Sequence, residues 1–124
     1  MADNYCESSS LLSLTPEQLE LAKPIIEKTI EDIEKEVGLQ LEYEDRADGI
    51  WIGGNNIVPG QVAQIAQAVV DGLEINDPFV FSWSYSCSKL RTDEFGGGAC
   101  CVRRGQEAIW VDAVSTVLQR IGTM

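Results

Sequence analysis

The stretch "SCSKLRTDEFGGGACC", residues 86–101, gathers Cys87, Cys100 and Cys101 around a charged loop and three consecutive glycines; the fourth cysteine, Cys6, lies near the N-terminus. Such a density raises metal, redox and nucleophilic chemistry in turn. Zinc held by cysteine needs four sulfurs, or a carboxylate to complete the set, commonly in two close C-x-x-C knuckles. Cys100 and Cys101 are adjacent instead, and strand neighbours point to opposite faces. The sequence therefore predicts no metal site and no cofactor, and reads the thiols as small core hydrophobes. A hairpin turn centred near Thr92 and Asp93 sets Cys87 opposite Ala99 or Cys100, which leaves a Cys87–Cys100 redox pair sterically open beside two plain reduced thiols. A cysteine nucleophile acting alone needs its pKa lowered by Lys89, Arg91 or a helix N-terminus, a rare arrangement. The chain has no histidine, which excludes triad hydrolases and H-E-x-x-H zinc proteases.

The glycines and carboxylates of the same stretch complete the chemical inventory. Gly96–Gly98 lead into a strand, with no Lys-Ser or Lys-Thr after them, so they fit a β-bulge better than a phosphate loop. "GGNN" at 53–56 does precede a helix but reads as an ordinary connection. Asp93 and Glu94 stand beside Arg91, and paired carboxylates can cleave glycosides or hold Mg²⁺. With Trp51 or Trp110 as a wall, Arg91, Asp93 and Glu94 define the alternative site, that of a small enzyme or ligand-binding module.

The elements that position these residues follow from periodicity. "LTPEQLELAKPIIEKTIEDIEKEVG" opens with Thr15 as N-cap, Pro16 at the first helical position and Gln18 closing a capping box, flanked by Leu14 and Leu19 as a staple. Leu19, Ala22, Ile26, Ile30, Ile33 and Val37 form one apolar stripe, Gly38 ends it, and Pro24 predicts a kink or a break. The opposite face carries Glu20, Glu27, Glu31, Asp32 and Glu34, partly offset by Lys28 and the Glu31–Lys35 pair. Residues 39–54 read as a hairpin with Leu39, Leu41 and Tyr43 half-buried, and Val62, Ile65, Ala66, Val69, Val70 and Leu73 mark a second helix. "FVFSWSYS" sets Phe79, Phe81, Trp83 and Tyr85 on one face and serines on the other; "GGGACCVRR" and "AIWV" supply two more strands. Asp112 caps a last helix carrying Val114, Val117, Leu118 and Ile121 on one side. The predicted order is αββαβββα: a two-layer α+β sandwich, with an antiparallel sheet of about five strands covered on one face by about three helices.

At 124 residues with 44% hydrophobic content, the chain reads as a single domain, 1–124, whose core needs no disulfide or metal staple. Residues 1–13 are expected to be a flexible N-terminal segment. No apolar run approaches the roughly 18 residues of a membrane span, and "MADNYCESSSLLSL" lacks a basic start, so a cytoplasmic location with reduced thiols is expected. Formal charge is −11, and residues 1–48 hold thirteen acids against four bases, while residues 49–124 hold seven against five. The N-terminal acidity repels nucleic acid and anionic membrane and attracts a basic protein surface.

Residues 81–113, "FSWSYSCSKLRTDEFGGGACCVRRGQEAIWVDA", resemble small uncharacterised proteins of bacteriophages and prophages. The resemblance is carried by Trp83, Tyr85, Cys87, Ser88, Arg91, Glu94, Phe95 and Gly96–Gly98, then Trp110, Val111 and Asp112. It implies a phage-type origin and carries over no catalytic or ligand residue. The expected function is that of an acidic, non-enzymatic interaction protein that binds, and in its sharper form inhibits, a host protein through Glu20, Glu27, Glu31 and Glu34. A DNA mimic or anti-defence protein is the extreme case, strengthened by carboxylates at phosphate-like spacing and weakened by pairing with lysine. A homodimer formed through exposed apolar residues of the sheet is the structural alternative.

Overall fold

The computed structural model describes residues 4–89 and 95–122. The elements run β1 (Asn4–Ser13), α1 (Pro16–Glu36), β2 (Glu42–Arg46), β3 (Gly49–Gly54), α2 (Pro59–Gly72), β4 (Phe79–Cys87), β5 (Gly96–Val102), β6 (Ile109–Asp112) and α3 (Ala113–Gly122). One sheet holds all six strands in the order β2-β3-β1-β4-β5-β6, each neighbour antiparallel to the next. The first six elements have the connectivity and strand order of a ferredoxin-like split βαβ unit. β5, β6 and α3 extend it beyond β4.

The sequence expectation of an α+β chain with three helices and an antiparallel sheet holds, but the sheet has six strands rather than about five. A strand precedes the expected first helix, and residues 4–13, expected to be flexible, form a central strand. β1 joins the two halves: Asn4–Glu7 pair with Ser84–Cys87 of β4, and Ser8–Ser13 pair with Gly49–Gly54 of β3. Only Cys6 and Leu12 are buried hydrophobics on this strand, six residues apart with Ser8 and Ser10 between them. The period-two signal is therefore muted in the sequence. Ser8 Oγ donates to the Ser82 carbonyl at 2.7 Å, bridging β1 to β4 just past their ladder.

Local signals place α1 as expected. Thr15 Oγ1 accepts from the Gln18 N–H at 3.1 Å, and the Gln18 side chain accepts from the Thr15 N–H at 3.0 Å. The helix runs through Pro24 without dividing and closes at Gly38, whose φ of 83° lets its N–H reach the Ile33 carbonyl at 3.2 Å. Its stripe of Ala22, Ile26 and Ile33 joins Val62, Ile65, Ala66, Val69 and Val70 of α2 in one core cluster with the alternate residues of the strands. On β4 those are Phe79, Phe81 and Trp83; on β3, Ile50 and Ile52; on β5, Cys100 and Val102. Gln61 is buried at the join of the helices, where its Nε2 donates to the Gly38 carbonyl at 2.8 Å and its Oε1 accepts from the Gln40 N–H at 2.7 Å. β2 departs from expectation: all five of its residues are exposed, Tyr43 among them.

The β4–β5 register corrects the hairpin reading. Phe79 faces Val102, Phe81 faces Cys100 and Tyr85 faces Gly96, a register that puts Phe81 and not Cys87 opposite Cys100; Thr92 and Asp93 lie outside the described residues. Cys87 pairs with Asn4 of β1 instead, and the Cys87–Cys100 contact does not exist. The glycines also do not form a bulge, because the register through Gly96–Gly98 is unbroken. Gly97 and Gly98 are needed for close approach: a Cβ at Gly97 would lie 2.5 Å from the Trp83 carbonyl oxygen, and one at Gly98 would lie 2.3 Å from that of Val111 and 2.6 Å from Trp83 Cζ2. Among the described residues no helix is long and apolar enough to cross a membrane.

Candidate functional site

Helical periodicity that turns Ala22, Ile26 and Ile33 inward turns the carboxylates of α1 outward. Glu20, Glu27, Glu31 and Glu34 are all exposed. Three lysines are threaded among them: Lys23 Nζ lies 2.9 Å from Glu20, Lys28 Nζ 3.0 Å from Asp32, and Lys35 Nζ 3.1 Å from Glu31. The hydrogen bond Lys23 donates to Glu20, then the Glu20 charge, raises the Lys23 pKa, and Asp32 does the same for Lys28. Glu27 and Glu34 have no ion-pair partner among the described residues. Exposed pairs of this kind are worth little to stability, so their consequence is electrostatic: they interrupt the ridge at three points.

The negative surface does not stop at the helix. Lys23 Nζ also lies 3.7 Å from Asp45 on β2, which joins α1 to the sheet edge that carries Glu42, Glu44 and Asp45. Arg46 pairs with Glu44 at 3.3 Å and lays its guanidinium over the Trp51 ring, 5.4 Å from the centroid. α1 carries seven acids against three lysines, and residues 42–48 carry four acids against Arg46. Together they hold seven of the chain's eleven net negative charges.

Strand positions opposite in parity to the core face outward, and there an open cleft of about 520 Å³ is lined by Glu7, Ser9, Glu42, Trp51, Ser82 and Ser84, among others. Trp51 Nε1 donates to Ser9 Oγ at 2.8 Å, fixing the indole across β3 and β1, and Ser86 Oγ reaches Glu7 Oε1 at 3.5 Å. An indole face beside two carboxylates suits a cationic group, as Arg46 already demonstrates from within the chain. The sequence missed this cleft because its walls come from four separate strands. The available signal was the Ser82, Ser84, Ser86 alternation, together with "ESSS" at residues 7–10.

The loop residues Arg91, Asp93 and Glu94 lie outside the described residues. Their expected aromatic walls are separated: Trp51 belongs to the outward cleft, whereas Trp110 packs against Phe81 and Trp83, with centroids at 6.3 and 5.8 Å. Cys6, Cys100 and Cys101 are free thiols, and Cys6 and Cys100 are buried. Burial, with a smaller contribution from neighbouring Cys101, pushes the Cys100 thiol up to about 11; burial raises Cys6 as well. Shifts in that direction keep sulfur protonated and oppose nucleophilic or metal-binding use. Among the described residues no group of three or more Cys, Asp or Glu is placed to hold a metal ion. No protein-family model, no curated protein and no solved structure matches this chain.

Proposed function

We propose that the protein is a non-enzymatic interaction protein whose α1–β2 surface docks on a basic surface of a host protein. The supporting observation is the acidity of α1 and β2, joined through Lys23 and Asp45, which gathers most of the net charge at one edge of the sheet. An extended field of one sign steers association with an oppositely charged partner and needs no base-like or sugar-like group. The three lysine pairs weigh against close imitation of a DNA backbone and in favour of docking by overall charge. The resemblance of residues 81–113 to phage and prophage proteins supports placing the partner in a bacterial host, and free thiols suit the reducing cytoplasm. In this proposal α1 and α2 form one layer and the sheet the other, and Glu42 of β2, which also lines the outward cleft around Trp51, carries the basic-partner surface round the sheet edge.

The test compares capture of host proteins by the native chain, by a variant with Glu20, Glu27, Glu31 and Glu34 changed to Gln, and by a control with Glu74, Asp77 and Glu107 changed to their amides. A basic partner held by the native and control proteins, lost by the four-site variant and rebound after purification in a salt-sensitive manner, is the expected result. A partner retained equally by all three proteins would overturn the assignment to α1.

A further inference from the structure

The two edges of the sheet are built differently. β2 carries Glu42, Glu44, Asp45 and Arg46, the charged dress by which natural sheets prevent edge-to-edge pairing. β6, the other edge, reads Ile109, Trp110, Val111 and Asp112; all four are exposed, and beyond β5 it has no strand partner among the described residues. α3 follows directly and buries none of its residues, although Val114, Val117, Leu118 and Ile121 fall on one helical stripe with exposures of 55, 57, 62 and 62%.

A ten-residue helix is marginal in water on its own and takes its stability from packing an apolar face. Among the described residues that face packs little: a Cβ at Gly96 would meet Val114 at 3.9 Å, and all four stripe residues are more than half exposed. The four stripe residues and the three apolar residues of β6, Trp110 on the helix side of the strand and Ile109 and Val111 on the other, together expose roughly 700 Å², close to the roughly 800 Å² each partner contributes to a standard interface. Charge selects the occupant. Residues 108–122 contain one acid, Asp112, and one base, Arg120, in a chain of net charge −11. Asp112 is engaged as the cap of α3, accepting from the Ser115 N–H at 3.0 Å. A neutral apolar surface with an antiparallel strand edge is self-complementary about a two-fold axis, as a second copy of the chain requires.

We propose that the protein is a two-fold dimer in which β6 pairs antiparallel with β6 of a second copy and the α3 stripes close over the joint. Sedimentation of the full chain at about 100 µM is expected to give twice the 13.6 kDa chain mass, and Leu118→Glu and Val111→Lys, on the helix and on the strand, are each expected to weaken association about 100-fold. Amide exchange at residues 109–112 is expected to be slow in the concentrated native protein and fast after dilution to monomer, a readout that does not depend on either variant folding. A native monomer at that concentration overturns the proposal, even if it binds neutral lipid vesicles through α3. So does a dimer indifferent to both substitutions, or one whose β6 amides exchange at the same rate after dilution.

Discussion

Gly98→Ala isolates the contact on which the β5–β6 extension depends. A Cβ there would lie 2.3 Å from the Val111 carbonyl oxygen and 2.6 Å from Trp83 Cζ2. Neither neighbour yields easily. The carbonyl belongs to the β6 backbone, and Trp83 is packed between Phe81 and Trp110, with centroids at 5.7 and 5.8 Å. Forcing an extra carbon into a packed site costs about 1–3 kcal/mol, and moving β6 also loosens the Gly98–Asp112 and Ala99–Val111 pairs. Alanine regains about 0.5–1 kcal/mol of backbone entropy, leaving a net loss of about 1–2 kcal/mol. Gly60→Ala is the matched control, because a Cβ there meets nothing within 4 Å and the residue sits in the first turn of α2; it is expected to stabilise by up to about 1 kcal/mol. Urea unfolding followed by tryptophan fluorescence reads both, since Trp83 and Trp110 lie at the perturbed site. A Gly98→Ala midpoint at or above that of the native protein would refute the close-approach account of Gly98.

Gln61→Ala leaves the Gln40 N–H and the Gly38 carbonyl without partners at the helix junction, and two orphaned groups predict a loss of about 2–4 kcal/mol in the same unfolding assay. Thr15→Ala removes the cap of α1 and is expected to cost about 1 kcal/mol, read from the urea midpoint. Cys100 predicts a pH dependence, because its thiol is raised from 9.0 to about 11 in the folded chain. Below the ordinary thiol pKa both states hold the proton and its contribution is fully present; as pH rises the unfolded chain deprotonates first, so stability falls until the folded thiol also titrates. Unfolding midpoints measured between about pH 9 and 11 are expected to decline more steeply for the native chain than for Cys100→Ala.

Elements whose signal is local were legible in the sequence. The Thr15 box, the Gly38 terminus, the α2 stripe and the aromatic face of β4 each need only a few consecutive residues to declare themselves, and each stands where its residues predict except Tyr85, which is exposed near the end of β4 while Phe79, Phe81 and Trp83 are buried. What escaped was decided at long range. β1 is a strand because it fills the slot between β3 and β4, which "NYCESSSLLS" does not announce. In the register of β5 Trp83 lies over Gly98 and Phe81 faces Cys100, contacts between distant residues, so counting from Thr92 and Asp93 misplaced Cys100. The acidic residues of α1 were readable as a face, but their merger with β2 rests on the Lys23–Asp45 approach across 22 residues of sequence. The outward cleft draws on β1, β2, β3 and β4 at once.

The segregation of charge bears on whether the two proposed surfaces can operate together. β2 and β6 are opposite edges of the sheet. Pairing through β6 would give a continuous sheet of twice the width, with the two β2 edges roughly 50 Å apart at about 4.8 Å per strand spacing. At physiological salt the Debye length is about 8 Å, so the two acidic faces of such a dimer would scarcely repel each other. In the two proposals, association of the copies is driven by apolar area and backbone pairing, whereas docking of a basic partner is driven by charge. The two equilibria should therefore separate on a single variable. Raising salt from about 0.05 to 0.5 M is expected to weaken partner binding by at least tenfold, as loss of electrostatic attraction requires, while leaving the dimer constant unchanged or slightly tighter. Sedimentation and partner-binding titrations on the same preparation would measure both. If salt dissociated the dimer as strongly as it released the partner, charge rather than the β6–α3 surface would be holding the copies together, and the assignment of separate roles to the two edges would fail.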